Sequence, residues 1–216
     1  MKAAARIAAT LFASTATLAF AQAPAPPAEE PKEGAAWEFA ATGYWNDPRP
    51  SKAYGSGIFA ADRGPLHLEA RINYESTHAQ SAFVGWTFSG GSEEGLSFEV
   101  TPIAGAVRGD LRGAIVGFEA TLAAGRFDYY LEAEYVRDRG TREDSYTYAW
   151  TELGFKPIEP LRLGIVAQRT RAYGGDRELQ RGGFAQYTHG KVTVGVYWFN
   201  PGSSDQIVIG ALGIAF

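Results

Sequence analysis

Two of the histidines have neighbours suited to acid–base chemistry. In Leu66-His67-Leu68-Glu69, His67 and Glu69 are two residues apart. On an extended strand they share a face, as a base and its orienting carboxylate would. No serine is placed beside them by local spacing, and such a pair more often serves as a structural hydrogen bond. His78 has Ser76 and Ser81 nearby, the residue types of a Ser–His hydrolase. Strand parity turns Ser81 inward, a poor setting for that chemistry, and His189 falls in a turn. There is no cysteine, so thiolate catalysis, thiolate metal sites and disulfides are excluded. Asp47, Glu143 and Asp144 are oxygen ligands of the kind calcium takes, but they read as solvated loop charge. No metal or cofactor is expected, and the chain is not expected to be an enzyme.

More informative are the charges that recur at alternate positions, because they need an element to hold them. From Trp37 onward apolar residues alternate with polar or small ones at period two, the pattern of a sheet with two unlike faces. The alternation predicts about twelve strands, at 37–46, 54–62, 65–75, 80–89, 95–104, 110–123, 126–137, 146–155, 160–171, 179–188, 191–199 and 206–216. Aromatic residues make up 13% of the chain and there are 26 glycines, which suits strands joined by tight turns. Connections are of two kinds. Asp62 to Pro65, Ala124 to Arg126, Lys156 to Pro160 and Thr188 to Lys191 are turn-like, and the longer Ser89 to Gly95 joins them. Asn46 to Ala53, Glu75 to Ala79, Arg137 to Ser145 and Ala172 to Glu178 are longer and more charged.

Met1 to Ala21 reads as a cleaved signal peptide: Lys2 and Arg6, an apolar run Ile7 to Phe20, then Ala19-Phe20-Ala21 as the cleavage site. Residues 22–36 form a Pro/Ala/Glu linker, and 37–216 the folded domain. Mean hydropathy is −0.18, and no stretch of the mature part approaches the roughly 18 apolar residues of a spanning helix. Net charge is −4 with no basic run or zinc pattern, so nucleic acid is not an expected partner.

The final segment, Gln206 to Phe216, resembles the terminal strand of bacterial outer-membrane β-barrel proteins. Phe216 closes it, and Ile214, Leu212 and Val208 precede at alternate positions; Gly210 departs from the apolar pattern. The resemblance implies an all-β, antiparallel, up-and-down transmembrane barrel of about twelve strands. It also implies the outer membrane as location and the barrel-assembly machinery as partner. A soluble β-sandwich is the competing architecture. Both termini would lie in the periplasm, with short turns there and longer loops outside.

In such a barrel, Trp37, Phe39, Phe88, Phe127, Phe155, Tyr187 and Phe216 form a girdle at the periplasmic boundary, and Trp45, Tyr74, Tyr135 and Trp198 one at the outer boundary. Inward parity collects Glu38, Glu69, Glu99, Glu119, Asp128, Glu132, Glu134 and Glu152 against Arg71 and Arg162. Buried charges need partners or water. The carboxylate surplus predicts a wet acidic lumen favouring small cationic or neutral solutes, lined by Glu69, Arg71, Glu99, Glu119, Glu132, Glu152 and Arg162. The alternative is a packed interior of paired charges, hence a non-conducting structural or surface-interaction barrel. A lipid-modifying enzyme is the third reading. Arg112, Arg169, Arg171 and Arg181 continue the outward parity at the outer strand ends. There they either meet outer-membrane lipopolysaccharide phosphates through bidentate contacts or stand as solvated loop-base arginines.

Overall fold

A computed structural model describes residues 35–49, 51–92, 95–140, 144–172 and 177–216. The expected signal peptide, nearly all of the linker, Glu143 and the middle of the connection from Ala172 to Glu178 lie outside these residues. The described chain folds into β1 (Glu38–Pro48), β2 (Tyr54–Arg63), β3 (Leu66–Ile72), β4 (Gln80–Trp86), β5 (Phe88–Gly91), β6 (Leu96–Arg108), β7 (Gly113–Ala124), β8 (Phe127–Asp138), β9 (Tyr146–Ile158), β10 (Leu161–Ala172), β11 (Arg177–His189), β12 (Val192–Phe199) and β13 (Ile207–Ala215). Each strand pairs antiparallel with its sequence neighbour, except that β4 and β5 both pair with β6. These two form one interrupted stave, so the barrel has twelve. Pairing of β1 with β13 closes it, from Ala40 opposite Ala215 to Pro48 opposite Ile207. This is the antiparallel, twelve-stave meander that the resemblance of the terminal strand implies.

The β1–β13 pairing joins the two ends of the meander, so main-chain groups along most of each strand bond to a neighbour on both sides, the arrangement a spanning sheet needs in lipid. At one end the turns are tight. Gly64, Gly125 and Gly190 have φ near +58 to +59° there, a left-handed conformation that residues with a Cβ resist. At the other end the connections are longer, 73–79, 109–112 and 200–206 among them.

The exterior is the apolar face. Leu68, Val84, Val116, Ile165, Val194 and Leu212 all point outward and are exposed. At the short-turn end Phe39 stacks on Trp37, Phe59 and Phe216 at centroid distances of 6.2, 6.0 and 5.8 Å, and Phe127 meets Phe155 at 5.0 Å. At the long-loop end Trp45 and Trp198 are outward and exposed.

Three expectations need correction. The third strand stops at Ile72 rather than continuing to residue 75. Asn73 takes φ 53° and breaks the alternation, so Tyr74 turns into the barrel, 2% exposed, instead of joining the outer girdle. The stave predicted at 80–89 is broken at Thr87, whose amide still donates to the Pro65 carbonyl at 2.7 Å.

Candidate functional site

Inward side chains meet in the barrel interior, and Arg71 on β3 is their centre. Its side chain has no exposure. Nη1 donates to Glu134 at 2.7 Å and Glu132 at 3.1 Å, both on β8, and Nη2 reaches Glu119 on β7 at 3.5 Å. Nε donates to Glu69, its neighbour on the same strand face. Glu75 lies 3.7 Å away. The guanidinium carbon sits 4.5 Å from the ring centre of Tyr74 and 4.4 Å from that of Phe83, within cation–π range. Arginine suits this place because its planar fork serves several carboxylates at once.

The 73–79 turn completes the cluster by folding inward. The Tyr74 hydroxyl donates to Glu132 at 2.9 Å, Ser81 Oγ donates to Glu75 at 2.6 Å, and the Tyr146 hydroxyl on β9 donates to the Glu75 carbonyl at 3.0 Å. The same turn is tied to itself, with Asn73 N donating to the Ala79 carbonyl at 2.8 Å and His78 N to Asn73 Oδ1 at 2.9 Å. A connection from the long-loop end thus crosses the lumen to β8 and β9.

A second centre lies nearer the short turns. Arg162 on β10 donates through Nε to Asp128 at 2.9 Å and through Nη1 to Gln186 at 3.0 Å, and it also binds Glu152. Phe184 lies 4.6 Å from its guanidinium carbon. Trp150 Nε1 donates to Glu152 at 2.9 Å, and its ring meets Tyr197 and Phe199 edge-on at 5.3 and 5.2 Å. Trp150, Tyr197, Phe199, Ile207 and Ile209 have no exposure at all. Side chains therefore fill the middle and the long-loop half of the barrel.

Glycines on the inner wall allow this packing. A Cβ on Gly154 would stand 2.6 Å from Arg162 Nε and from an Asp128 carboxylate oxygen; on Gly164, 2.6 Å from the Phe184 ring; on Gly105, 2.5 Å from the Phe83 ring. Large side chains lie flat against bare backbone at each.

Charge in the first centre is unbalanced. Glu69, Glu75, Glu119, Glu132 and Glu134 surround one guanidinium, so with every carboxyl ionised the cluster carries a surplus of negative charge. In a water-poor interior such a surplus requires counter-charge, as protons or as cations. Glu69 Oε2 and Glu75 Oε2 are buried without a hydrogen-bond partner. Among the described residues no three acidic or histidine side chains are arranged to hold a metal ion.

Toward the short turns several inward side chains are small. Thr87 bonds Thr101 and Thr188 bonds Thr193, each at 2.9 Å, while Glu99 is half-buried and Glu38 exposed. His67 Nδ1 lies 2.7 Å from Asp62, on the adjacent strand, rather than on Glu69, and its buried Nε2 has no partner. The exposed His78 ring faces Asp110 at 3.2 Å, and Ser81 belongs to Glu75. The pairings suggested by local spacing are therefore divided among other partners.

Of the seven residues expected to line a lumen, Glu69, Arg71, Glu132, Glu152 and Arg162 are buried inward, and Glu99 and Glu119 half-buried. Sequence reading missed Asp62, Tyr74 and Glu75. The inward-parity glycines were the available signal that the interior is packed.

The four rim arginines do not form one group. Arg169, Arg171 and Arg181 project outward from β10 and β11, together with Arg177, which had not been singled out. Arg112 lies three staves away, at the β6–β7 turn, where its Nε donates to the Gly109 carbonyl at 3.3 Å.

No family model matches the chain, and no curated protein matches it. Among solved structures it is similar to the Pseudomonas aeruginosa protein OccK5 (OpdH), with TM-score 0.45 and 10% identity over 83% of this chain and 66% of that one. It is also similar to a BenF-like porin from Pseudomonas fluorescens Pf-5, with TM-score 0.45 and 7% identity over 75% of this chain and 55% of that one. The chain thus spans just under two thirds of the first and about half of the second.

Proposed function

We propose that the chain is an outer-membrane barrel of porin type whose path for small hydrophilic cations or neutral solutes is held shut by Arg71. The observation that carries this reading is the reach of Arg71 from β3 to β7 and β8 with its side chain wholly buried. Breaking that bridge loosens Tyr74 and Glu75, which pack on and beside the guanidinium, and leaves an acidic passage along the lumen. An acidic lining attracts cations and repels anions.

Planar-bilayer recording tests it. The native barrel is expected to give rare, small openings, and Arg71→Ser frequent larger ones with a cation-selective reversal potential in a salt gradient. Anion selectivity would overturn the acidic-path reading.

A second reading rests on the fully buried Trp150, Phe199, Ile207 and Ile209, which make the interior resemble a packed core. On that reading the barrel is a structural or surface-interaction element. Absence of conductance from both Arg71→Ser and Trp150→Ala, each inserted and folded, would favour it over the gated path.

A further inference from the structure

Four outward arginines on β10 and β11 form a compact patch whose electrostatics are unresolved within the described protein. Arg171 stands directly opposite Arg177, Arg169 opposite Leu179, and Arg181 opposite Ala167. Opposed residues in an antiparallel pair share a face at about 5 Å, and successive same-face positions are about 6.6–7 Å apart. The four guanidinium stems therefore fall within two strands and three rows, about 13 Å along the strands. All four are exposed. Among the described residues none makes an ion pair, whereas Arg71 and Arg162 inside the barrel are saturated with carboxylates. Like charges directly opposed across a strand pair destabilise it, so this arrangement calls for an anion from outside the chain.

Its level in the barrel identifies which anion. The next outward row toward the short turns runs through Leu153, Ile165, Gly183 and Trp198. Leu153, Ile165 and Trp198 are 47–64% exposed, so the patch begins where the apolar wall and its tryptophan girdle end. Leu179, 51% exposed, lies among the arginines, giving the patch an apolar element beside the charge. A guanidinium fork matches phosphate oxygens bidentately, and several together bind a multiply phosphorylated headgroup better than a single ion.

We propose that Arg169, Arg171, Arg177 and Arg181 form a binding site for the phosphate groups of a lipid-anchored glycolipid, lipopolysaccharide, seated against the β10–β11 wall. The proposal rests on outer-membrane residence but not on whether the lumen conducts. Arg112 lies outside the site.

The test compares the native barrel with a quadruple Arg→Ser variant at these positions. A charge-matched control carries Arg63→Ser, Arg126→Ser, Lys156→Ser and Lys191→Ser at the short-turn end. Each is reconstituted in phosphatidylcholine nanodiscs and titrated with lipid A bisphosphate, with dephosphorylated lipid A, and with inorganic phosphate. The expected result is tight binding of the bisphosphate by the native barrel and the control, and binding at least about tenfold weaker by the rim variant, equivalent to about 1.4 kcal/mol or more. Dephosphorylated lipid A is expected to bind all three equally weakly. Equal bisphosphate affinity in the rim variant, or an equal loss in the control, would overturn the site. Saturation by inorganic phosphate as readily as by lipid A would make it a free-anion site and overturn the lipid assignment. If the quadruple variant does not fold, the double variant Arg171→Ser/Arg177→Ser, removing the directly opposed pair, carries the same comparison.

Discussion

Replacing Arg71 with Met keeps most of the side-chain length and removes the charge that organises the interior. Its Nη1 contacts to Glu134 and Glu132, at 2.7 and 3.1 Å, and the Nε contact to Glu69 are lost together. A unit-charge pair near 4 Å is worth about 4 kcal/mol at an effective dielectric of 20. The gross loss from three close carboxylates is therefore on the order of 12 kcal/mol. Those carboxylates also repel one another, and in the variant they relax by taking up protons or water. The net loss should thus fall in the range for breaking a buried pair on one side, about 3–5 kcal/mol. Met also gives up the cation–π contacts to Tyr74 and Phe83, a smaller effect of about 0.5–2 kcal/mol. The assay is equilibrium unfolding in detergent micelles, followed by tryptophan fluorescence, with heat-modifiable gel mobility as the check on barrel closure. Adding Glu132→Gln and Glu134→Gln to Arg71→Met should recover part of the loss, because two of the three carboxylates left without the guanidinium lose their charge while Glu69 keeps its own. A loss under about 1 kcal/mol for the single variant, or no recovery in the triple, would refute Arg71 as the charge that holds the interior together.

Trp150→Ala removes the largest fully buried side chain and should cost about 3–5 kcal/mol on the same unfolding assay. Gly154→Ala places a Cβ 2.6 Å from Arg162 Nε and the Asp128 carboxylate, so it should cost about 1–3 kcal/mol; combining it with Arg162→Met should show less than additive loss. Val196→Arg, on the outward face between the girdles, should cost about 2–4 kcal/mol in lipid vesicles. Val196→Leu, which keeps that face apolar, serves as the comparison, and equal penalties for the two would contradict the outward assignment of this face.

The faces of the barrel could be read along the chain because they depend on a local rule. Successive side chains on a strand alternate sides, so Val192, Val194, Val196 and Trp198 declare an outward wall wherever the strand ends up. The inward placing of Glu69, Glu132, Glu152, Arg71 and Arg162 followed from the same rule. The rule fails only where the backbone leaves the extended region. Asn73, at φ 53°, ends β3 early and sends Tyr74 inward, and no neighbouring residue type announced it.

What alternation cannot supply is distance across the lumen. Arg71 and Glu134 are 63 residues apart in sequence, and whether they touch or stand apart across water depends on stave number and on what else occupies the interior. The same holds for the Tyr146 hydroxyl meeting the Glu75 carbonyl 71 residues away. Parity alone allowed both a wet passage and a packed interior. The inward-folded 73–79 turn and the bare backbone at Gly105, Gly154 and Gly164 decide how closely the walls approach. The rim divides in the same way: outward arginines were legible from parity, but strand register gathers Arg177 with Arg169, Arg171 and Arg181 and leaves Arg112 apart. A strand's own residues determine which way each side chain points, whereas only closure of the sheet determines which of them meet.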